Sequence, residues 1–362
     1  MKKFLISLLA CFTVATAFAN DYSKYYQNLP VAMPQPTLPT IPNNQVNIID
    51  FGGNGDGQSM NTLAFSKAIS KLSKMGGGHL NVPAGIYLTG LISLKDNIDA
   101  QEKVRNHMIR FTDCENVLVQ GVTLLNSPRF HLIPTRCKNV VIDGITVKCP
   151  WNAQNGDAID ISSCKDVLIV NNIVDAGDDG ICMKGGAGAA GVKAGPCENI
   201  NIQDNTVYHA HGGFVIGSEF SGGMKNILVR NNTFQGTDAG LRFKSAVKRG
   251  GTSENIYIDH IYMTDITGDA ITFETTYWDN HVGAKQQTQP VKQEYLPNFQ
   301  DIHISDVYVR GCKNGIVAHG AEGMIHDITI KNTYIFYDKK AQDIDATCKI
   351  KLDNVHFATF NK

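Results

Sequence analysis

The sequence predicts an all-β chain wound as a right-handed parallel β-helix with a short capping helix near its N-terminal end. Three features carry that expectation. An Asn or Asp followed by Val or Ile recurs from residue 116 onward, five segments superimpose without gaps, and one amphipathic stretch precedes them all.

The chain opens on Met1-Lys2-Lys3 and the apolar run FLISLLACFTVATAFA, with Ala17-Phe18-Ala19 as a small-x-small cleavage site. Residues 1–19 therefore read as an export signal peptide, too short an apolar run for an anchor, and a periplasmic or secreted location follows. Residues 20–45 are rich in Pro, Asn and Gln and read as an extended lead-in. Val46 to Phe51 then looks like a short strand and GGNGDGQS like a turn. Met60 to Met75 looks like an amphipathic helix with Leu63, Ala64, Ala68, Ile69 and Leu72 on one face, suited to cap the open end of a β-stack. Residues 46–362 are expected to form a single β-helix domain.

The recurring motif falls at Asn116-Val117, Asn139-Val140, Asp166-Val167, Asn199-Ile200, Asn226-Ile227, Asn255-Ile256, Asp301-Ile302 and Asp327-Ile328. Its spacings of 23, 27, 33, 27, 29, 46 and 26 residues are too irregular for a leucine-rich repeat but suit coils joined by loops of varied length. The five superimposable segments begin at Asp157, Asp179, Gly212, Ala239 and Asp269. Because strand side chains alternate faces, Ile159/Ile161, Ile181/Met183, Phe214/Ile216, Leu241/Phe243 and Ile271/Phe273 should point inward as core ladders. Asp160, Lys184, Arg242, Lys244 and Glu274 should then point outward, gathering charge on one outer face where a binding groove should lie. A β-sandwich also shows many short strands, but these runs lack the hairpin loops that antiparallel sheets use.

Composition narrows the function. A formal charge of −1 and a pI of about 6.8 give no reason to expect a nucleic-acid or membrane partner. Apart from Cys11 in the leader, the cysteines are Cys114, Cys137, Cys149, Cys164, Cys182, Cys197, Cys312 and Cys348. They are dispersed without CxxC pairs or His spacing, so they read as buried stacked thiols or as one or two disulfides rather than as a zinc site.

Three acids stand at the entries to two neighbouring strands: Asp157 after Asn155-Gly156, and Asp178 with Asp179 after Gly177. Coils stack at about 4.8 Å, so these groups can be first neighbours. Repulsion among them should leave at least one protonated beside ionised partners, the acid and base that glycoside hydrolysis by inversion needs. Acids beside glycine also mark ordinary turns, and clustered aspartates also suit calcium. His211 follows Asp178 by 33 residues, the same interval as Asn199 from Asp166, so it should lie one rung above the aspartate pair and tune its protonation. One coil further, Arg242 and Lys244 share an outer face, and such a pair beside an acidic cluster suits a sugar carboxylate. The substrate implied is an acidic polysaccharide.

The set NGD, GDD, HG and RFK, in this order, resembles the polygalacturonases of glycoside hydrolase family 28, whose signatures are Asn-Thr-Asp, Gly/Gln-Asp-Asp, Gly/Ser-His-Gly and Arg-Ile-Lys. The resemblance runs from about Asn47 to about Phe336, with Gly156, Ala210 and Phe243 replacing uncharged members of the signatures. It implies that Asp178 is the general acid, that Asp157 and Asp179 hold the water and act as base, and that His211 assists the acid. It also implies that Arg242, Lys244 and Tyr277 bind galacturonate and that no metal or organic cofactor is needed. Between Gly90 and Arg110-Phe111 the family normally has further strands, including Gly-x-Gly-x-Ile-Asp-Gly; here Ile98 to His107 joins the parts almost directly, so coils walling the cleft are expected to be missing. That shortened wall, with the likeness of GFVIGSE and GLRFKSA to exo-acting relatives, points to attack from chain ends. A calcium-dependent eliminase on the same fold and a non-catalytic pectin-binding protein are the alternatives, and a monomer is expected.

Overall fold

A computed structural model describes residues 21–90, 92–93, 107–277 and 295–360. The leader, most of the Ile98–His107 junction and Trp278 lie outside the described residues.

From Ile92 to Thr359 the strands belong to one continuous parallel system. Three stacks of strands run along it. The first comprises Ile109–Thr112, Leu132–Thr135, Ile159–Ser162, Asp179–Lys184, Gly212–Ile216 and Ala239–Lys244, each paired in parallel with the next. The second comprises Glu115–Gln120, Lys138–Asp143, Lys165–Val170, Cys197–Gln203 and Met224–Arg230. The third comprises Thr123–Leu125, Thr146–Lys148, Ile173–Asp175, Thr206–Tyr208 and Thr233–Gln235. Each coil thus pairs only with the coils before and after it, which is a right-handed parallel β-helix. The long strands Ser253–Glu274, Ile302–His319, Ile328–Ile344 and Ile350–Thr359 carry it to the C-terminal end.

The recurring Asn/Asp motif has a conformational cause. All eight of its first residues adopt the left-handed conformation, with φ between 51° and 57°. Among residues with a Cβ, Asn and Asp pay least for that geometry. Their side chains then stack: Asn139 donates to Asn116, Asn199 to Asp166, Asn226 to Asn199 and Asn255 to Asn226 at 2.8–3.0 Å. The second corner carries a buried ladder, in which Asn172 and Asn205 each accept a backbone N–H from the coil before, and Asn232 does the same for Asn205.

The predicted core ladders form in the predicted register. Ile159, Ile181, Phe214, Leu241 and Ile271 are successive partners, and all are fully buried. Phe243 and Phe273 stack with centroids 4.4 Å apart. The eight cysteines beyond the leader are free thiols, which settles the choice between stacked thiols and bridges. Cys114, Cys137, Cys164 and Cys197 occupy the same position on consecutive coils, and the Cys137 N–H reaches the Cys164 Sγ at 3.3 Å.

Some local expectations need correction. The helix spans Thr62–Lys74 and buries Ala64, Ala68 and Leu72, an i, i+4, i+8 stripe; Leu63, about 100° around the helix from Ala64, is 64% exposed. The GGNGDGQS segment is only half turn, because Asp56–Met60 pairs as a strand with Ile86–Leu88. Of the strand expected at Val46–Phe51 only the start is extended; Gln45–Asn47 is strand and Ile48–Phe51 is a 3₁₀ turn. The lead-in lies against the second stack, with Tyr22 and Tyr25 buried on Val141, Leu168 and Val170 and the Tyr22 hydroxyl donating to Asp143 at 2.8 Å. Ile92–Ser93 pairs directly with Ile109–Arg110, so the chain on either side of the short junction is adjacent in the sheet.

The buried ladder gives a stability test. In Asn205→Ala the Asn172 N–H and the Ile169 and Gln203 carbonyls lose their partner. Each orphaned group costs about 1–3 kcal/mol, so a loss of about 3 kcal/mol is expected. Urea unfolding should show it as a lower midpoint at unchanged slope.

Candidate active site

The outer face of the first stack floors a cleft of about 490 Å³. The strands deliver their charged side chains to it by alternation, but the cleft hides them. Asp160 is 1% exposed and Lys244 4%, so these members of the outward set face away from the core without facing open solvent. Asp160 lies 3.6 Å from Lys184 of the next coil, and Lys244 lies 2.9 Å from Asp179 two coils before it.

Asp157 sits at the entry to Ile159–Ser162, its carbonyl accepting the His131 N–H at 2.9 Å. The next coil turns through Gly177-Asp178-Asp179. Gly180 behind it has no room for a side chain, since a Cβ would stand 2.5 Å from Val207. The Ala158 N–H donates to the Asp179 carbonyl at 3.0 Å, locking the two turns together. As a result one carboxylate oxygen from each of Asp157, Asp178 and Asp179 lies within 4.8 Å of the others. His211 stands on the next rung as predicted: its N–H donates to the Asp178 carbonyl at 2.8 Å and its Nδ1 lies 3.1 Å from the Asp178 carboxylate.

Arg242, Lys244 and Tyr277 complete the predicted set. Lys244 Nζ is 2.9 Å from Asp179, and Arg242 Nη1 is 3.8 Å from the same carboxylate and 3.3 Å from the His211 carbonyl, to which it donates. Both cations lie over the Tyr277 ring, at 5.6 Å and 5.0 Å from its centroid. The pair expected to be open to a sugar is therefore partly engaged already: Lys244 is the buried countercharge of Asp179.

Two cleft residues were legible only as outward charges. Lys184, 16% exposed, stands 3.7 Å from Asp157, 3.6 Å from Asp160 and 3.7 Å from Asp179. Both Asp160 oxygens are buried and accept no hydrogen bond among the described residues. Their alternation parity was the available signal. Arg110, Arg129 and Phe130 also line the cleft; the sequence offered only proximity to Asn126-Ser127-Pro128 for the last two.

The protonation pattern follows from the layout. Burial, then the neighbouring Asp160, pushes Asp157 well above the ordinary carboxylate range against the pull of Lys184. Burial likewise raises Asp160, to about 7, although Lys184 opposes it. Burial would raise Asp179 too, but Lys244, then Lys184 and Arg242, overrides it and holds that carboxyl well below its usual value. The expected split between protonated and ionised acids is present, with the held proton on the Asp157 side. His211 is raised, mainly by its hydrogen bond to Asp178. Three close carboxylates also offer ligands to a divalent cation. Here Lys184 and Lys244 already bring positive charge to Asp157 and Asp179.

Comparison with known proteins adds a lineage to this geometry. The model of Glycosyl hydrolases family 28 matches residues 52–354. The chain is 26% identical to "Probable polygalacturonase" of Vitis vinifera, covering 83% of this chain and 76% of that protein. It is 27% identical to "Exo-poly-alpha-D-galacturonosidase" of Dickeya chrysanthemi, covering 80% of this chain but only 46% of that longer protein. Among solved structures it resembles a hyperthermoactive exopolygalacturonase from Thermotoga maritima with a TM-score of 0.77 and 26% identity, over 92% of this chain and 96% of that one.

The raised Asp160 has a consequence for stability. Between the unfolded value of 3.8 and about 7 the folded protein holds a proton that the unfolded chain has lost, so stability should fall as pH rises through this window. The change is on the order of 4 kcal/mol at most. Asp160→Asn is expected to flatten that slope when urea midpoints are compared at pH 4 and pH 8.

Proposed function

Since the chain belongs to glycoside hydrolase family 28, we propose that it hydrolyses the α-1,4-galacturonosyl linkages of polygalacturonate, acting from chain ends and with inversion. The observation that carries this reading is the cluster of Asp157, Asp178 and Asp179, two of whose members are held by environment in opposite protonation states. The similarity to a plant polygalacturonase and to bacterial proteins named as exo-acting supports the substrate and the chain-end preference.

In this mechanism Asp178 is the general acid. Its side chain is 17% exposed, against 3% for Asp157 and 1% for Asp179, so it is the carboxyl that a glycosidic oxygen can reach. His211, 3.1 Å away, steadies it through a hydrogen bond. Asp179, kept ionised by Lys244, is the base that takes a proton from the attacking water, and Asp157 orients that water. Arg242, Lys244 and Tyr277 receive a galacturonate unit, with Arg242 the most available partner for its carboxylate.

The carboxylates are closer than the roughly 6.5–9.5 Å of most inverting pairs, in which one base holds the water alone. A water shared between Asp157 and Asp179 accounts for the shorter separation. The anomer formed first decides the matter: ¹H NMR of early product should show the β configuration, and the α configuration would mean retention.

The eliminase alternative needs an arginine base and calcium; the likeness to proteins named as polygalacturonases favours hydrolysis over it. Lys184 and Lys244 already bring positive charge to the acids. The apolar leader supports export as the setting, with the protein acting as a monomer on extracellular or periplasmic pectic chains. Purified protein is expected to release reducing ends from polygalacturonic acid in the presence of EDTA, and Asp178→Asn to lose about a thousandfold of that rate. Binding without new reducing ends in folded wild type would instead establish a pectin-binding protein.

A further inference from the structure

His211 is bracketed by carboxylates from the coils on either side of it. Its Nδ1 lies 3.1 Å from Asp178, and its Nε2 lies 3.8 Å from the Oδ2 of Asp238, a residue outside the reacting cluster. Asp238 is held in turn from the next coil, where the Thr267 hydroxyl donates to its Oδ1 at 2.7 Å. Asp178, His211, Asp238 and Thr267 thus form a file of side chains, one from each of four consecutive coils. Their chain intervals of 33, 27 and 29 residues are those that separate the corner residues Asp166, Asn199, Asn226 and Asn255. His211, Asp238 and Thr267 also line a pocket of about 330 Å³, distinct from the cleft, together with Trp151 and His209.

The backbone fixes this spacing. The Asp238 N–H donates to the Ala210 carbonyl at 2.8 Å, the Ala239 N–H to the His211 carbonyl at 3.2 Å and the Thr267 N–H to the Thr237 carbonyl at 2.9 Å. Gly268 lets the last coil close in, since a Cβ there would stand 2.5 Å from the Asp238 carbonyl. A neutral imidazole between two carboxylates must turn a lone pair toward one of them, whereas the protonated ring presents an N–H to each. The charged groups about the ring are Asp178 and Asp179 on the coil before, Asp238 on the coil after, and Arg242, whose guanidinium donates to the His211 carbonyl at 3.3 Å; on its own turn His209 is paired with Asp175 at 3.1 Å. The surroundings are mainly anionic, and His211 is raised by its bond to Asp178 first, with Asp179 and Asp238 adding to it.

We propose that Asp238 is a positioning residue: with Thr267 behind it, its carboxylate holds the His211 imidazole by the ring nitrogen that does not face Asp178, and keeps that ring protonated and aimed at the acid. Asp238 acts through His211 rather than on the substrate. Its side chain is 62% exposed, so water screens it and the effect is a fraction of a pH unit. The catalytic consequence rests on the polygalacturonase reading; the coupling of the two side chains does not.

The test follows the His211 imidazole by NMR in the free protein, its signal identified by loss in His211→Ala, with urea midpoints to confirm that each variant folds. In Asp238→Asn the ring is expected to titrate about half a pH unit lower than in wild type. Asp238→Glu should recover most of that shift, and Thr267→Val, which frees the carboxylate, should show a smaller shift in the same direction. Salt at about 1 M should narrow the gap between wild type and Asp238→Asn. On polygalacturonic acid the alkaline limb of kcat/KM should move down by the same interval, a loss of about threefold above the limb that a loosened turn would not place there. The NMR titration needs no turnover, so an inactive wild type, which would sink the hydrolase reading, still decides the coupling. A His211 titration unmoved in folded Asp238→Asn, or a moved titration beside an unmoved limb in active enzyme, would overturn the proposal.

Discussion

Every coil must turn its corner at the same place if the next is to lie on it, and the structure depends on that coincidence. The turn is made by a residue in the left-handed conformation, supplied each time by Asn or Asp. The side chain freed by the turn hydrogen-bonds the same residue one coil away, so the geometry that bends the chain also fixes its register. A slip of one residue would invert every side chain, carrying the Ile and Phe ladders out of the core and the charges into it. The cleft therefore follows from register more than from any loop.

Stacking at strand spacing has an electrostatic price. Asp157, Asp160 and Asp179 come from neighbouring coils and are all nearly inaccessible to water. Among the described residues Lys184 and Lys244, with Arg242 slightly further off, stand against them. Full ionisation would set three buried negative charges against two lysines and a more distant arginine in a low-dielectric place, where imperfect pairing is costly. Proton retention by Asp157 and Asp160 relieves that imbalance, while the lysines concentrate their effect on Asp179. The division between protonated and ionised carboxyls is thus a property of the whole charge cluster.

The two sides of the cleft differ in how they are built. Arg242 and Lys244 project from the floor strand itself, and Tyr277 follows from the coil beyond. Arg129 and Phe130 come from a turn held by a buried histidine that reaches the backbone of Asp157. Both constructions give rigid presentation, the second through hydrogen bonds that cross from one coil to the next.

The sequence by itself determined the coil phase, the inward ladders and the juxtaposition of Asp157, Asp178, Asp179, His211, Arg242, Lys244 and Tyr277. These are legible because strand alternation and the Asn/Asp corners are local rules, and equal spacing along the chain becomes vertical stacking. It did not reveal that Lys244 is buried against Asp179, that Lys184 holds three carboxylates, or that Phe130 stands beside it. Nor could it say that Leu63 would turn away from the helix's buried face while Ala64 turned toward it. Such facts depend on distances between residues far apart in sequence, on which charges shield one another from water, and on how much surface a neighbouring coil covers. Only the assembled tertiary structure decides those.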